Sequence, residues 1–355
     1  MTEMGPSAKL PQDKASFKEI KHMNADSRFA GHGITPLRLL IAIIVFLPMQ
    51  RVSGAQGSSP SQGQAGEEYK LTINANMVLL SATVVDAHNA LVSGLDRSDF
   101  KIYEDGILQP INYFSHEDIP VTAGIVVDNS GSMGRKRSDV IASAMAFARS
   151  SNPQDQMFVV NFNERISFGL PVNTPFTDRQ DKLLLALSSI RAIGQTALYD
   201  GIAAALDHLK QGNRDKKVLI LITDGGDNAS KRSLAQVIEM AKQSSAIIYA
   251  IGILDEQDDD PKPGVLRRFA RETGGEAFFP ASSKEIASIC EEIARDIRNQ
   301  YTLAYVPKLA EKAGSYRTIE VKASARHRGH LSVRTRAGYI APATALKDIA
   351  RDNHH

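Results

Sequence analysis

Val121-Thr122-Ala123-Gly124-Ile125-Val126-Val127-Asp128-Asn129-Ser130-Gly131-Ser132 decides how this chain folds and where its chemistry lies. The first seven residues are uncharged and mostly apolar, the pattern of a strand buried on both faces of a parallel sheet. The run stops at a D-x-S-x-S loop. That loop gathers the Asp128 carboxylate and the Ser130 and Ser132 hydroxyls at the strand's end. Hard oxygen donors of this kind suit Mg²⁺, Mn²⁺ or Ca²⁺ and suit Zn²⁺ poorly.

Downstream, strands and helices alternate. Met157–Phe162, Ile166–Val172, Val218–Ile222, Ile247–Ile253 and Ala277–Phe279 read as strands. Ser138–Arg149, Lys182–Ile190, Ala197–Leu209, Leu234–Gln243 and Val265–Thr273 read as helices, the last closed by Gly274-Gly275. Ser282 followed by Glu285 predicts a capping box opening a final helix. The alternation predicts an α/β fold, a doubly wound and mostly parallel sheet covered on both faces. Ligands of such sheets bind beyond the carboxyl ends of the strands. Two more residues fall where that geometry can use them. Thr196 precedes a helix in Gly194-Gln195-Thr196-Ala197, and Asp224 follows a strand in Thr223-Asp224-Gly225. Asp128, Ser130, Ser132, Thr196 and Asp224 are the candidate metal ligands, with Mg²⁺ the first choice of ion.

The flanks have a different period. Residues 69–118 read as β-strands, with Glu104-Asp105-Gly106 the signal for a type I′ hairpin turn. After Asn299, Ile319, Val321, Ala323 and Ala325 alternate with Lys322, Ser324 and Arg326. The turn His327-Arg328-Gly329-His330 then leads to Leu331, Val333 and Thr335, so residues 300–342 are expected as an antiparallel hairpin. Lys322, Arg326, Arg334 and Arg336 would line its polar face as a solvated basic stripe. Few strands are stable alone, so this segment is expected to join the strands before Val121 in a smaller β-sandwich-like unit. The division expected is 69–118 for those first strands, 119–299 for the α/β domain and 300–342 for the returning hairpin, with a disordered tail at 343–355.

Arg28 and Arg38 precede the apolar run Leu39–Leu47, and Ser53-Gly54-Ala55 fits a cleavage site. Residues 1–55 are therefore read as a signal peptide with a long charged region, or as an uncleaved anchor. Met23 offers an alternative start. Residues 56–68 read as a Gly/Ser/Gln-rich linker. Export to a periplasm, cell envelope or exterior follows from that reading. One cysteine among 355 residues rules out an intrachain disulfide, and a net charge of +2 argues against nucleic-acid binding.

The five-residue constellation resembles, residue by residue, the metal-ion-dependent adhesion site of von Willebrand factor type A domains. Asp99–Gly106, Tyr301–Pro307 and Arg336-Ala337-Gly338-Tyr339 extend the resemblance to the related proteins described from Acidobacteria. The resemblance implies a Rossmann-like sheet and a non-enzymatic module whose divalent cation captures an Asp or Glu carboxylate of a protein partner. A structural envelope protein with a merely stabilising ion is the alternative. A Mg²⁺- or Mn²⁺-dependent phosphohydrolase ranks lower, because it would need a nucleophile or a general base and Ser130 and Ser132 are committed to the ion. Asp200, one helical turn after Thr196, reads as a structural hydrogen-bonding residue. The acidic run Asp255–Asp260 reads as a solvated loop.

Overall fold

A computed structural model describes residues 77–254, 262–308 and 314–341. The expected signal, linker and tail, and the acidic run Asp255–Asp260, lie outside the described residues.

The apolar run at Val121 becomes the central strand of a six-stranded sheet. In chain order the sheet elements are β5 (Val121–Asp128), β6 (Gln156–Phe162), β7 (Ile166–Phe168), β8 (Lys216–Thr223), β9 (Ala246–Gly252) and β10 (Ala277–Phe278). Strands β1–β4 precede them, as given below. The spatial order is β10-β9-β8-β5-β6-β7, parallel except for the antiparallel edge pair β6–β7. All eight residues of β5 are buried. Gly124 lies at its centre because an added Cβ would collide with the Phe158 ring and come within 2.6 Å of Leu219 Cδ2.

Helices α1 (Arg137–Ser150), α2 (Gln180–Ser188) and α6 (Ile286–Arg298) pack together. Helices α3 (Leu198–Leu209), α4 (Leu234–Gln243) and α5 (Pro263–Thr273) form a second group against the sheet. Gly274 closes α5 in the left-handed conformation at φ +85°. Burying both sheet faces is what the continuous apolar strands require.

Two boundaries differ from the expected ones by more than two residues. The strand at Ile166 ends at Phe168, because Gly169 packs its Cα face against Ala186, and Val172 is fully exposed. The Ser282–Glu285 pair caps a 3-10 turn at Ser283–Glu285, and the α-helix starts only at Ile286.

The flanking strands build two four-stranded antiparallel sheets. One holds β1 (Val78–Val85), β4 (Tyr113–Ser115), β11 (Tyr301–Tyr305) and β13 (Ser332–Arg334) in the order β13-β1-β11-β4. The other holds β2 (Phe100–Glu104), β3 (Ile107–Gln109), β12 (Tyr316–Ala323) and β14 (Gly338–Ile340) in the order β14-β12-β2-β3. Leu80, Ala82 and Leu303 of the first share one core with Ile102, Ile319 and Val321 of the second. Asp105 and Gly106 turn β2 into β3 with φ +47° and +78°, as a type I′ turn needs.

The expected hairpin does not form. β12 pairs with β2 and β14, whereas β13 pairs with β1 in the opposite sheet. Alternation shows that two strands point apolar side chains at one core. It does not tell a neighbour in the same sheet from a strand facing it across the core. The basic stripe is lost with the hairpin. Arg334 binds Asp296, and Arg336 donates to the Lys242 carbonyl at 2.7 Å, leaving Lys322 and Arg326 exposed.

Candidate metal centre

The chain leaves β5 for β6 on one side and returns through β8 on the other. Loops following β5 and β8 therefore diverge, opening a crevice at the carboxyl edge of the sheet. Asp128 ends β5 and Asp224 follows β8 at this crevice.

Each residue is held by local bonds. Asp128 is buried; its Oδ1 accepts from the Ser130 backbone N–H at 2.8 Å and its Oδ2 from the Thr223 hydroxyl at 2.7 Å. Ser130 Oγ and Ser132 Oγ lie 3.1 Å apart, and Ser132 Oγ donates to Asp224 Oδ2. Asp128, Ser130, Ser132 and Asp224 thus form one contiguous cluster, of which only Ser132 is exposed. Burial, and then the Asp224 charge, push the Asp128 carboxyl up to about 6; the Thr223 and Ser130 bonds oppose the rise.

Thr196 is not bonded to this cluster; its backbone is tied to the loop that follows Asp224. Its N–H donates to Asn228 Oδ1 at 2.8 Å, and its carbonyl accepts from Asn228 and Ala229 at 2.9 and 3.0 Å. Two residues earlier, the Gly194 carbonyl accepts from Gly131 N–H at 3.0 Å. The Thr196 loop is thereby tied to both of the others. The helix expected from Ala197 begins one residue later, at Leu198, with Ala197 in the capping position, so Thr196 stands one residue ahead of the cap. The Thr196 hydroxyl makes none of these bonds. Asp200 accepts from the Lys231 N–H at 2.8 Å and from Arg232 Nη1 at 3.0 Å, so it anchors the loop after Asp224.

Residues that no sequence motif marks support the site from beneath. Asn129 is fully buried; its Nδ2 donates to the Val127 carbonyl and to Asn161 Oδ1, and Arg137 Nη1 donates to its Oδ1. Asn161 in turn donates to the Ala186 carbonyl at 2.9 Å. Glu164 Oε2 accepts from the Gln195 N–H at 3.0 Å and fills the space a Gly194 side chain would need, where φ is +83°. An asparagine inside the apolar strand Met157–Phe162 was the available signal for this scaffold.

Among the described residues no three His, Cys, Asp or Glu side chains gather as a metal-binding group. The candidate donor set is instead two carboxylates and three hydroxyls, and that set fits a hard divalent cation.

Residues 124–292 match the von Willebrand factor type A domain family. An uncharacterized protein of Borreliella burgdorferi is 30% identical over 139 residues, which are 36% of this chain and 39% of that one. The chain thus spans about two fifths of that relative's length. Among solved structures, a von Willebrand factor type A protein from Catenulispora acidiphila is 14% identical with a TM-score of 0.46, covering 76% of this chain and 74% of its own. The vWF domain of the type V pili tip protein Mfa5 from Porphyromonas gingivalis is 14% identical with a TM-score of 0.43, over 51% and 95% of the two chains. The PilB minor pilin from Streptococcus sanguinis is 15% identical with a TM-score of 0.41, over 54% and 63%. With Asp128 and Asp224 at the switch point of its sheet, this chain carries a von Willebrand factor type A domain over residues 124–292.

Proposed function

We propose that Asp128, Ser130, Ser132, Thr196 and Asp224 hold a divalent cation, and that the chain is an exported, non-enzymatic module binding an acidic group of a protein partner. Mg²⁺ is the first choice of ion, with Mn²⁺ or Ca²⁺ possible replacements. The observation carrying this reading is the buried carboxylate pair. Asp128 and Asp224 repel one another, and the hydroxyls of Ser132, bonded to Asp224, and of Ser130 beside it add hard oxygen donors. When bound, the ion supplies an electrophilic centre open to an anionic oxygen. The protein's own groups do the positioning. Thr223 and the Ser130 N–H fix both oxygens of Asp128, and the bonds from Asn228 and Gly131 hold the Thr196 loop beside it. Exposed Ser132 marks the side from which a partner's Asp or Glu carboxylate approaches. Export rests on the sequence around Leu39–Leu47.

The test is Mn²⁺ binding to the full chain, followed by electron paramagnetic resonance. The expected result is one saturable site, displaced by Mg²⁺ and lost in Asp128→Ala. Saturable binding that survives Asp128→Ala would overturn the assignment.

A further inference from the structure

Beside the cluster stands a loop that the ligand assignment does not explain. Ile193 is 60% exposed, although both of its backbone groups are bonded. Its N–H donates to the carbonyl of Asn129, the residue between Asp128 and Ser130, at 2.9 Å. Its carbonyl accepts from Asn163 Nδ2 at 3.1 Å. The next two residues are pinned as well, Gly194 by Gly131 N–H and Gln195 by Glu164. A lone exposed apolar residue is ordinary. One fixed in place at the edge of a candidate ion site presents a preformed contact whose ordering entropy is already spent.

The charges around this edge are uneven. Arg135, Arg165 and Arg191 are exposed on the loops that make the Ile193 flank, with Glu164 the one acid among them bonded to the Gln195 N–H. The flank beyond Asp224 is built differently, from Gly225, Gly226, Asp227 and Asn228. It offers no exposed apolar side chain and carries an acid. An arriving carboxylate therefore meets an apolar, basic wall on the Ile193 side and a wall without exposed apolar side chains on the other, where Asp227 is followed by exposed Lys231 and Arg232.

We infer that Ile193 is a specificity-determining residue of this surface. It selects protein segments in which an aliphatic or aromatic side chain adjoins the metal-seeking Asp or Glu, within a net acidic stretch. The inference rests on the cation reading above. Partial burial of one such side chain against Ile193 favours the apolar neighbour by roughly fivefold or more.

The probe is a phage-displayed library of random dodecapeptides, selected on the immobilised full chain in Mg²⁺ and eluted with EDTA. The eluted sequences should contain an Asp or Glu with an enriched Leu, Ile, Val or Phe beside it. Selection on Ile193→Ser should keep the acid and lose the apolar neighbour. That side chain is exposed, so the variant should keep the wild-type melting point and its Mg²⁺-dependent rise. Selection on Arg165→Ala/Arg191→Ala should lose the surrounding acidic bias. Acidic sequences with no apolar neighbour, or an apolar preference that survives Ile193→Ser, would overturn the inference and leave the cation reading standing. No EDTA-eluted sequences despite a Mg²⁺-dependent rise in melting point would also overturn it alone. No such rise would remove both.

Discussion

The two ends of the central sheet each bury a carboxylate cluster, and the protein treats them in opposite ways. At the amino end, Asp296 of α6 accepts from Thr83 Oγ1 at 2.6 Å, from Tyr249 OH at 2.8 Å and from Arg334 Nη2 at 2.8 Å. Gln300 donates to both Thr83 and Tyr249, and Glu276 takes the other arm of Arg334. Buried Lys216 donates to the Ile297 carbonyl at 2.6 Å, and its charge helps keep Asp296 ionised against burial. These groups come from β1, β8, β9, α6 and β13, so this hub joins the β-sandwich-like unit to the α/β domain. At the carboxyl end, Asp128 is met by a hydroxyl, one backbone N–H and a second carboxylate. One cluster is balanced by cations of the chain itself. In the other, a like charge adds to the cost of burial. A closed cluster of the first kind serves architecture; one of the second kind is where the proposed cation would bind.

Breaking the closed cluster should have the largest effect. Asp296→Ala leaves the buried Thr83 and Tyr249 hydroxyls without their acceptor, takes one countercharge from buried Lys216 and leaves half-buried Arg334 with Glu276 alone; removing one partner of a buried pair costs about 3–5 kcal/mol. Urea unfolding of this variant should shift by that amount, equally in Mg²⁺ and in EDTA. A Mg²⁺-dependent loss would mean that the two ends are not separate.

Lys216 sharpens the comparison through pH. Burial lowers its pKa to about 8, with Asp296, Asp118 and Asp155 pulling the other way. An ordinary lysine titrates near ~10.4. Between those values the unfolded chain holds a proton that the folded protein has released, so this group makes stability rise with pH. The slope is at most about 1.4 kcal/mol per pH unit, and there is none well below pH 8. The stability difference between wild type and Lys216→Met should climb from pH 8 to pH 10. A flat difference would mean that Lys216 keeps its proton in the folded state.

The same contrast explains what the sequence disclosed. Buried strands such as Val121–Val127 are marked by continuous apolar residues, and the D-x-S-x-S end of that strand is a compact local signal. The partner Asp224 could be placed because a parallel sheet puts its strand ends on one edge; Thr196 lies in the loop between α2 and α3, which no strand end positions. The closed hub was illegible. Its members are single polar residues between Thr83 and Arg334, and no local period links them. Asp296 was also hidden beside the apolar face Ile286, Cys290, Ile293 and Ile297 of a helix that reads as core packing. The pairing of β12 and β13 failed for a related reason, because alternation reports which face is buried and not which strand lies alongside.

The most direct measurement is thermal unfolding of the full chain and of Asp128→Asn, each in EDTA and across a Mg²⁺ titration. Mg²⁺ at ~100 times its dissociation constant adds about 2.7 kcal/mol to the native state. That should raise the wild-type midpoint by several degrees. Asp128→Asn removes one charge of the repelling pair, so in EDTA it should melt at or above wild type and should not respond to Mg²⁺. A wild-type midpoint indifferent to Mg²⁺, together with a variant that melts well below it in EDTA, would contradict the account and make the cluster at Asp128 a second structural hub.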